Sequence, residues 1–167
     1  MSSENPYAAP EATLIPERKR SDSELADRGT RFVAAFVDGL IAIAYAVPIA
    51  YLLGTFEYVT KGVNPPIGTL VASSVLGFIA FLAIHGYFLK RDGQTLGKKM
   101  TGIRITNLDN KVPEFAPMIL LRYLPLAVVS LIPVIGAFFP FVDVLFIFRK
   151  DRRCIHDLLA GTKVIKV

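Results

Sequence analysis

The chain alternates long apolar runs with short basic segments. From Phe32 to Leu53 the one charged residue is Asp38, and from Ile67 to Leu89 there is none, His85 aside. A third apolar region runs from Met118 to Phe148 and carries Arg122 and Asp143. A bilayer hydrocarbon core about 30 Å thick is crossed by roughly 20 apolar helical residues. The first two runs therefore predict membrane helices over about 32–53 and 67–89. The third holds Pro133, Gly136 and Pro140 near its middle, residues that turn or break a helix. It predicts two shorter segments, about 118–133 and 136–148, each roughly 22 Å long. Arms that short either just span or form a re-entrant hairpin, whose turn has to be buried in protein.

The polar remainder reads differently. Met100 to Thr106 alternates apolar and polar residues as a strand does, and 163-KVIKV-167 is a second β-prone run. Pairing the two gives a small sheet. Asp92-Gly93 and Leu108-Asp109-Asn110-Lys111 supply turns. Residues 1–27 are rich in Pro, Ser and charge and predict a disordered tail ahead of a membrane domain over 28–167. Within the tail, Asn5-Pro6-Tyr7-Ala8-Ala9-Pro10 reads as flexible chain, with a short linear motif as the other reading. The fold class is thus an all-α membrane protein: a bundle of about four transmembrane or re-entrant helices with a small cytoplasmic β element.

Composition agrees with the pattern. The chain has 167 residues, enough for one domain, and 53% are hydrophobic. Mean hydropathy is +0.48. The net charge of +5 comes from Lys and Arg beside the apolar runs, where anchoring and orientation explain it better than nucleic acid does. Arg18, Lys19, Arg20, Arg28 and Arg31 precede the first run. Lys90, Arg91, Lys98, Lys99 and Arg104 follow the second, and Arg149, Lys150, Arg152 and Arg153 follow the third. The segment 54–66 carries only Glu57 and Lys61. By the positive-inside rule both termini and the 90–116 loop face the cytoplasm, and 54–66 faces out. No cleavable signal peptide is visible, so the first span is expected to act as an uncleaved signal anchor. The single cysteine, Cys154, excludes an intrachain disulfide and a Cys-based zinc site.

Four ionisable residues stand out because charge is expensive inside a bilayer. Asp38, His85, Arg122 and Asp143 each fall four to seven residues inside the cytoplasmic end of their segment, a common depth on the order of 6–10 Å. Arg31, seven residues before Asp38, shares its helix face and is long enough to snorkel to headgroups. Arg122 is the expected partner of Asp38 or Asp143. Pairing that fixes helix order is the first reading of this layer, and a solute or proton path is the second. Lys98, Lys99 and Arg104 are expected to meet lipid headgroups. Gly93-Gln94-Thr95-Leu96-Gly97-Lys98 is not a phosphate loop, because three residues rather than four separate its glycines and Lys99 follows the lysine. His156-Asp157 has the residue types of acid–base chemistry, but no nucleophile motif accompanies it. Asp157 is expected instead to cap a short helical turn that Gly161 ends. Two histidines without a carboxylate cluster give no metal expectation.

Arg31 with Asp38, 95-TLGKKMTGIRI-105, Arg122 and 156-HDLLAGTKVI-165 together resemble the bacterial RDD membrane proteins over about residues 25–167. That family takes its name from one arginine and two aspartates. Arg31 and Asp38 match the first two; Asp157 is the best match for the third, with Asp143 as its rival. The resemblance implies a multi-pass inner-membrane protein of largely unassigned function, with transport, including cation–proton exchange, suggested for members. The expectation is a membrane scaffold or accessory protein, without enzymatic activity or cofactor, contacting lipids and a homo-oligomeric or membrane-protein partner. The alternative is a small oligomeric transporter exchanging a cation for a proton at Asp38. Small residues such as Ala34, Ala35, Gly39, Ala72, Ser73 and Gly77 permit the close helix contacts that oligomers need.

Overall fold

The structure is a computed structural model that describes residues 24–132 and 135–167. It is mostly helical, with two long apolar helices and one two-stranded sheet. Helix α1 spans Arg28–Leu52 and α3 spans Ile67–Asp92. Their 25 and 26 residues correspond to roughly 38 Å each, enough to cross a bilayer. In their most apolar windows only 6% and 0% of residues are buried. A core helix of a soluble protein would be largely covered, so these faces need another apolar medium.

Local chemistry sets the ends. Asp27 caps α1 by accepting from the Thr30 amide at 2.8 Å. Helix α2, Thr55–Thr60, joins the two long helices beyond Gly54, whose φ is 66°. Helix α3 stops at Gly93, in the left-handed conformation at φ 67°. A side chain there would also strike the Ile105 carbonyl at 2.6 Å, so glycine is required twice over. Thr95 then caps α4, Leu96–Met100.

Strand β1, Ile103–Asn107, pairs antiparallel with β2, Thr162–Lys166, with Ile105 opposite Val164. The expected strand pairing is therefore present. The chain just before α1 joins it: Leu25 bridges Ile165, and the Ala26 amide donates to Val164 at 3.0 Å. This corrects the expected tail at its end, because residues 24–27 pair with β2 and cap α1. Residues 1–23, with the motif at Asn5–Pro10, lie outside the described residues.

The third apolar region is broken into short helices. Helices α5, Phe115–Met118, and α6, Leu124–Val129, are joined by a π-helical turn over Ile119–Tyr123. Pro125 follows that turn and has no amide to donate back. Helix α7, Ile135–Leu145, continues into a 3-10 turn at Phe146–Phe148. Gly136 lies against Ser130, whose carbonyl would be 2.7 Å from an added side chain. Pro140 sits inside α7 rather than at the turn, and Pro133 is outside the described residues. A short helix α8, Ile155–Leu159, precedes β2. The buried apolar core of Ala26, Ala34, Leu89, Ile103, Ile105, Met118, Ile119 and Val164 gathers where the helix ends meet the sheet. That junction is a cap on the helices.

Candidate functional site

The polar residues inside the helices do not chiefly face one another. Each holds a piece of the cap. Asp38, on α1, accepts from the Gly97 amide at 2.8 Å and from the Thr95 hydroxyl at 2.5 Å. The Lys98 ammonium is 3.8 Å from the same carboxylate. His85, on α3 and buried, accepts the Leu96 amide on Nδ1 at 3.2 Å. That nitrogen therefore carries no proton in this arrangement. The first turn of a helix leaves amides without helical partners. Here the exposed amides of α4 at Leu96, Gly97 and Lys98 are taken by His85, Asp38 and Thr95. Gly97 lets them approach: a side chain there would stand 2.2 Å from the Ala34 carbonyl and 2.8 Å from Asp38 Oδ1.

The second short helix is held in the same way. Asp143, on α7, accepts the His156 amide at 3.1 Å, and its other oxygen is 2.5 Å from His156 Nδ1. Asp157, fully buried on α8, accepts the Cys154 amide at 3.1 Å, closing the turn on itself. Gly161 ends the turn at φ 62°. Asp157 does more than this expected capping. Its two oxygens receive Arg31 Nη2 from α1 at 2.6 Å and Arg122 Nη1 from the π turn. Arg122 also donates to the Thr162 hydroxyl at 2.5 Å, and Arg31 to the Arg152 carbonyl. Arg153 covers the far side, donating to the Asp157 carbonyl at 3.1 Å and the Thr162 carbonyl at 2.9 Å.

Two expectations change. Arg122 pairs with Asp157, not with Asp38 or Asp143, because the π turn sets its side chain toward the cap. Arg31 does not snorkel; it is 9% exposed and spent on the same carboxylate. The lysines and arginine assigned to headgroups divide. Lys98 turns inward to Asp38 with a side chain 16% exposed. Lys99 stays at the surface, 3.6 Å from Asp92 and over the Phe88 ring. Arg104 lies half-buried on β1, its Nε buried and without a hydrogen-bond partner among the described residues. Thr95, Gly97, Cys154, His156 and Thr162 complete the network and were not among the expected site residues. Thr95 and Gly97 lie in 95-TLGKKMTGIRI-105, and His156 and Thr162 in 156-HDLLAGTKVI-165, the runs that carry the family resemblance.

Electrostatics follow from this packing. Burial alone would raise the Asp157 carboxyl, but Arg122 foremost, with Arg31, holds it well below the usual carboxylate range. Burial, with Arg122 adding to it, pushes His156 below its ordinary value despite Asp143 beside it. Burial also pushes Lys98 down to about 8, against the pull of Asp38. Asp143, Cys154 and His156 bring one potential metal-ligand atom each within 4.8 Å of one another. The group does not suit a cation: burial pushes the Cys154 thiol up to about 11, and the Arg31 guanidinium is 3.5 Å from its sulfur.

Two long apolar helices, with a cap of short helices and a sheet holding charged residues at one end of them, describe a membrane protein. The RDD family profile matches residues 25–161, and the chain belongs to that family. It is 27% identical over 150 residues to an uncharacterized protein of Haemophilus influenzae, covering 89% of this chain and 82% of that one. No solved structure matches.

Proposed function

We propose that the protein is a non-catalytic membrane scaffold or accessory protein in a bacterial inner membrane. The observation that carries this reading is the use to which the polar residues are put. Asp38, His85, Arg31, Arg122 and Asp143 are each bonded to the cap. A carrier residue has to release its contacts to take up an ion, whereas these contacts are what joins the cap to the helices. The cap offers a basic surface at Lys90, Arg91 and Lys99 to anionic lipid or an acidic partner.

Strand pairing supports the membrane orientation in this reading. Leu25, just before α1, bridges Ile165 near the end of the chain, and β1, following α3, pairs with the same strand. The start of α1, the end of α3 and the end of the chain therefore share one side. Residues 115–148 have to enter the bilayer and return. The basic character of the cap makes that side cytoplasmic, and α6 and α7 are the two short arms.

One observation favours a second reading, exchange of a cation for a proton. Lys98, held at about 8 by burial, sits 3.8 Å from Asp38 and can change charge near neutral pH. Cation-driven proton flux in proteoliposomes separates the two. The comparison is wild type against Asp38→Asn at matched folding, since the amide oxygen still accepts from Gly97. A scaffold gives no flux in either across Na⁺, K⁺ and several pH values, and captures a partner protein in the membrane. Flux that vanishes in the variant makes Asp38 a transport residue and overturns the scaffold.

A further inference from the structure

A cavity of about 740 Å³ opens between α1 and α7 beneath the cap. Its volume lies within the roughly 300–1,000 Å³ of small-ligand sites. Its two ends differ in kind. Near the cap its wall carries Arg28, Arg31, Lys98 and Arg122, together with His156, and no carboxylate. Farther along, the wall is apolar, with Phe32, Phe36, Phe141, Val144 and Leu145. Phe32 and Phe141 are 64% and 71% exposed, so this end lies open along the helices.

The carboxylates Asp38, Asp143 and Asp157 stand behind the cationic wall, each engaged by a cap residue or an arginine. With Lys98 protonated, four cations stand against three carboxylates, and the cluster is positive even with His156 neutral. Arg31 and Arg122 share the one carboxylate of Asp157. Arg28 has no carboxylate partner among the described residues. Its Nε donates to the Ile147 carbonyl at 3.2 Å, and its guanidinium lies over the Phe148 ring. It is exposed at the mouth of the cavity.

We propose that this groove is a binding site for one anionic phospholipid, with the headgroup phosphate at the cationic end and an acyl chain along the apolar wall between α1 and α7. A phosphate matches the charge. A chain matches an apolar trough that continues from the charged end along the axis of α1. A second copy of this chain is the poorer occupant, because a twofold contact at the groove brings each cationic cluster toward its own equivalent. A small soluble anion leaves the apolar length uncovered. The inference needs α1 and α7 to meet lipid and does not depend on whether the protein is a scaffold.

The test uses the full chain, delipidated in neutral detergent and titrated with phosphatidylglycerol or phosphatidylcholine. Bound lipid is counted by native mass spectrometry. One phosphatidylglycerol per chain is expected to be retained, with phosphatidylcholine lost under the same conditions. Arg28→Gln is expected to weaken retention roughly fivefold, the contribution of one basic residue facing an anionic surface. Ala35→Trp fills the groove from α1 and is expected to abolish retention. Circular dichroism and elution volume establish that each variant folds. Equal retention of the two lipids overturns the proposal, as does unchanged phosphatidylglycerol binding in both folded variants. If Ala35→Trp instead splits an oligomer and leaves phosphatidylglycerol binding intact, the groove is a contact between copies and the proposal fails.

Discussion

Arg31 at the start of α1 donates to Asp157 at 2.6 Å across 126 positions of sequence, and both side chains are buried. The contact ties the first long helix to the last short one. Arg122 meets the other oxygen of the same carboxylate, so Asp157 is the point at which the beginning, middle and end of the chain are joined. Removing a carboxylate from between two buried cations leaves both uncompensated. Asp157→Ala is expected to cost about 3–5 kcal/mol, seen as a large fall in thermal unfolding temperature or as loss of folded protein from the membrane. Arg31→Lys is expected to be milder, because the ammonium keeps the charge but not the fork that reaches Arg152 and Cys154 as well. An Asp157→Ala protein as stable as wild type would remove this joint from the account.

Gly97 tests the docking of α4 on α1. A methyl group there meets the Ala34 carbonyl, which is backbone and cannot yield. The turn has to lift, stretching the bonds from Thr95 and Gly97 to Asp38. Gly97→Ala is expected to destabilise by more than the about 1–3 kcal/mol of ordinary overpacking. Gly39→Ala, on α1, is the control, since nothing lies within 4 Å of an added side chain there. It should be neutral or slightly stabilising. Equal effects of the two substitutions on thermal unfolding would contradict the close approach.

Acid is expected to loosen the α8 anchor in two stages. His156 is held below its ordinary value by burial, so its stabilisation is full above about pH 6.5 and is lost as pH falls below it. Asp157, also depressed, contributes fully above the unfolded carboxylate value of about 3.9 and loses its contribution only in stronger acid. Thermal unfolding of the wild type should therefore fall between pH 7 and pH 5, before the carboxylates protonate. His156→Gln should flatten that limb while leaving the drop at lower pH. An unchanged slope in the variant would assign the acid sensitivity elsewhere.

Much of this fold was legible because the bilayer constrains it. Runs of apolar residues long enough to span can do little else in water, and α1 and α3 begin and end within a few residues of where the pattern places them. The alternation at 100–106 and the run at 163–167 were readable as strands for a similar reason, each needing a half-buried face, although Met100 ends α4 and Thr101 and Gly102 turn before β1 begins at Ile103. The partners of the polar layer were not legible. Asp38, His85 and Asp143 bond largely to backbone amides, and an amide has no identity in a sequence. Charge complementarity suggested Arg122 for Asp38 or Asp143, but the π turn and the position of α8 decide the matter, and both are tertiary outcomes. Asp157 and Asp143 were rivals for the second aspartate of the family pattern, and neither was read as a partner of Arg31, which Asp157 becomes once α8 is placed.

The sheet makes a statement about the membrane that labelling can check. Glu24 and Lys166 are joined by an ion pair at 2.8 Å and by the Lys166 amide to the Glu24 carbonyl. Lys61 lies between α2 and α3, at the far end of the two long helices from the cap. In a Cys154→Ser background, Glu24→Cys and Lys166→Cys are expected to react with a membrane-impermeant maleimide only in inside-out vesicles. Lys61→Cys is expected to react only in right-side-out cells. All three positions are at the surface and outside the long helices, so slow reaction cannot be put down to burial. If positions 24 and 166 label from opposite sides, residues 115–148 cross once, and the strand pairing that joins the two ends cannot form in the membrane. If they label together and Lys61 labels with them, α1 and α3 do not span. Labelling of 24 and 166 from the inner side, with 61 from the outer, leaves the return of the chain through α6 and α7 as the only path that keeps β2 beside Leu25.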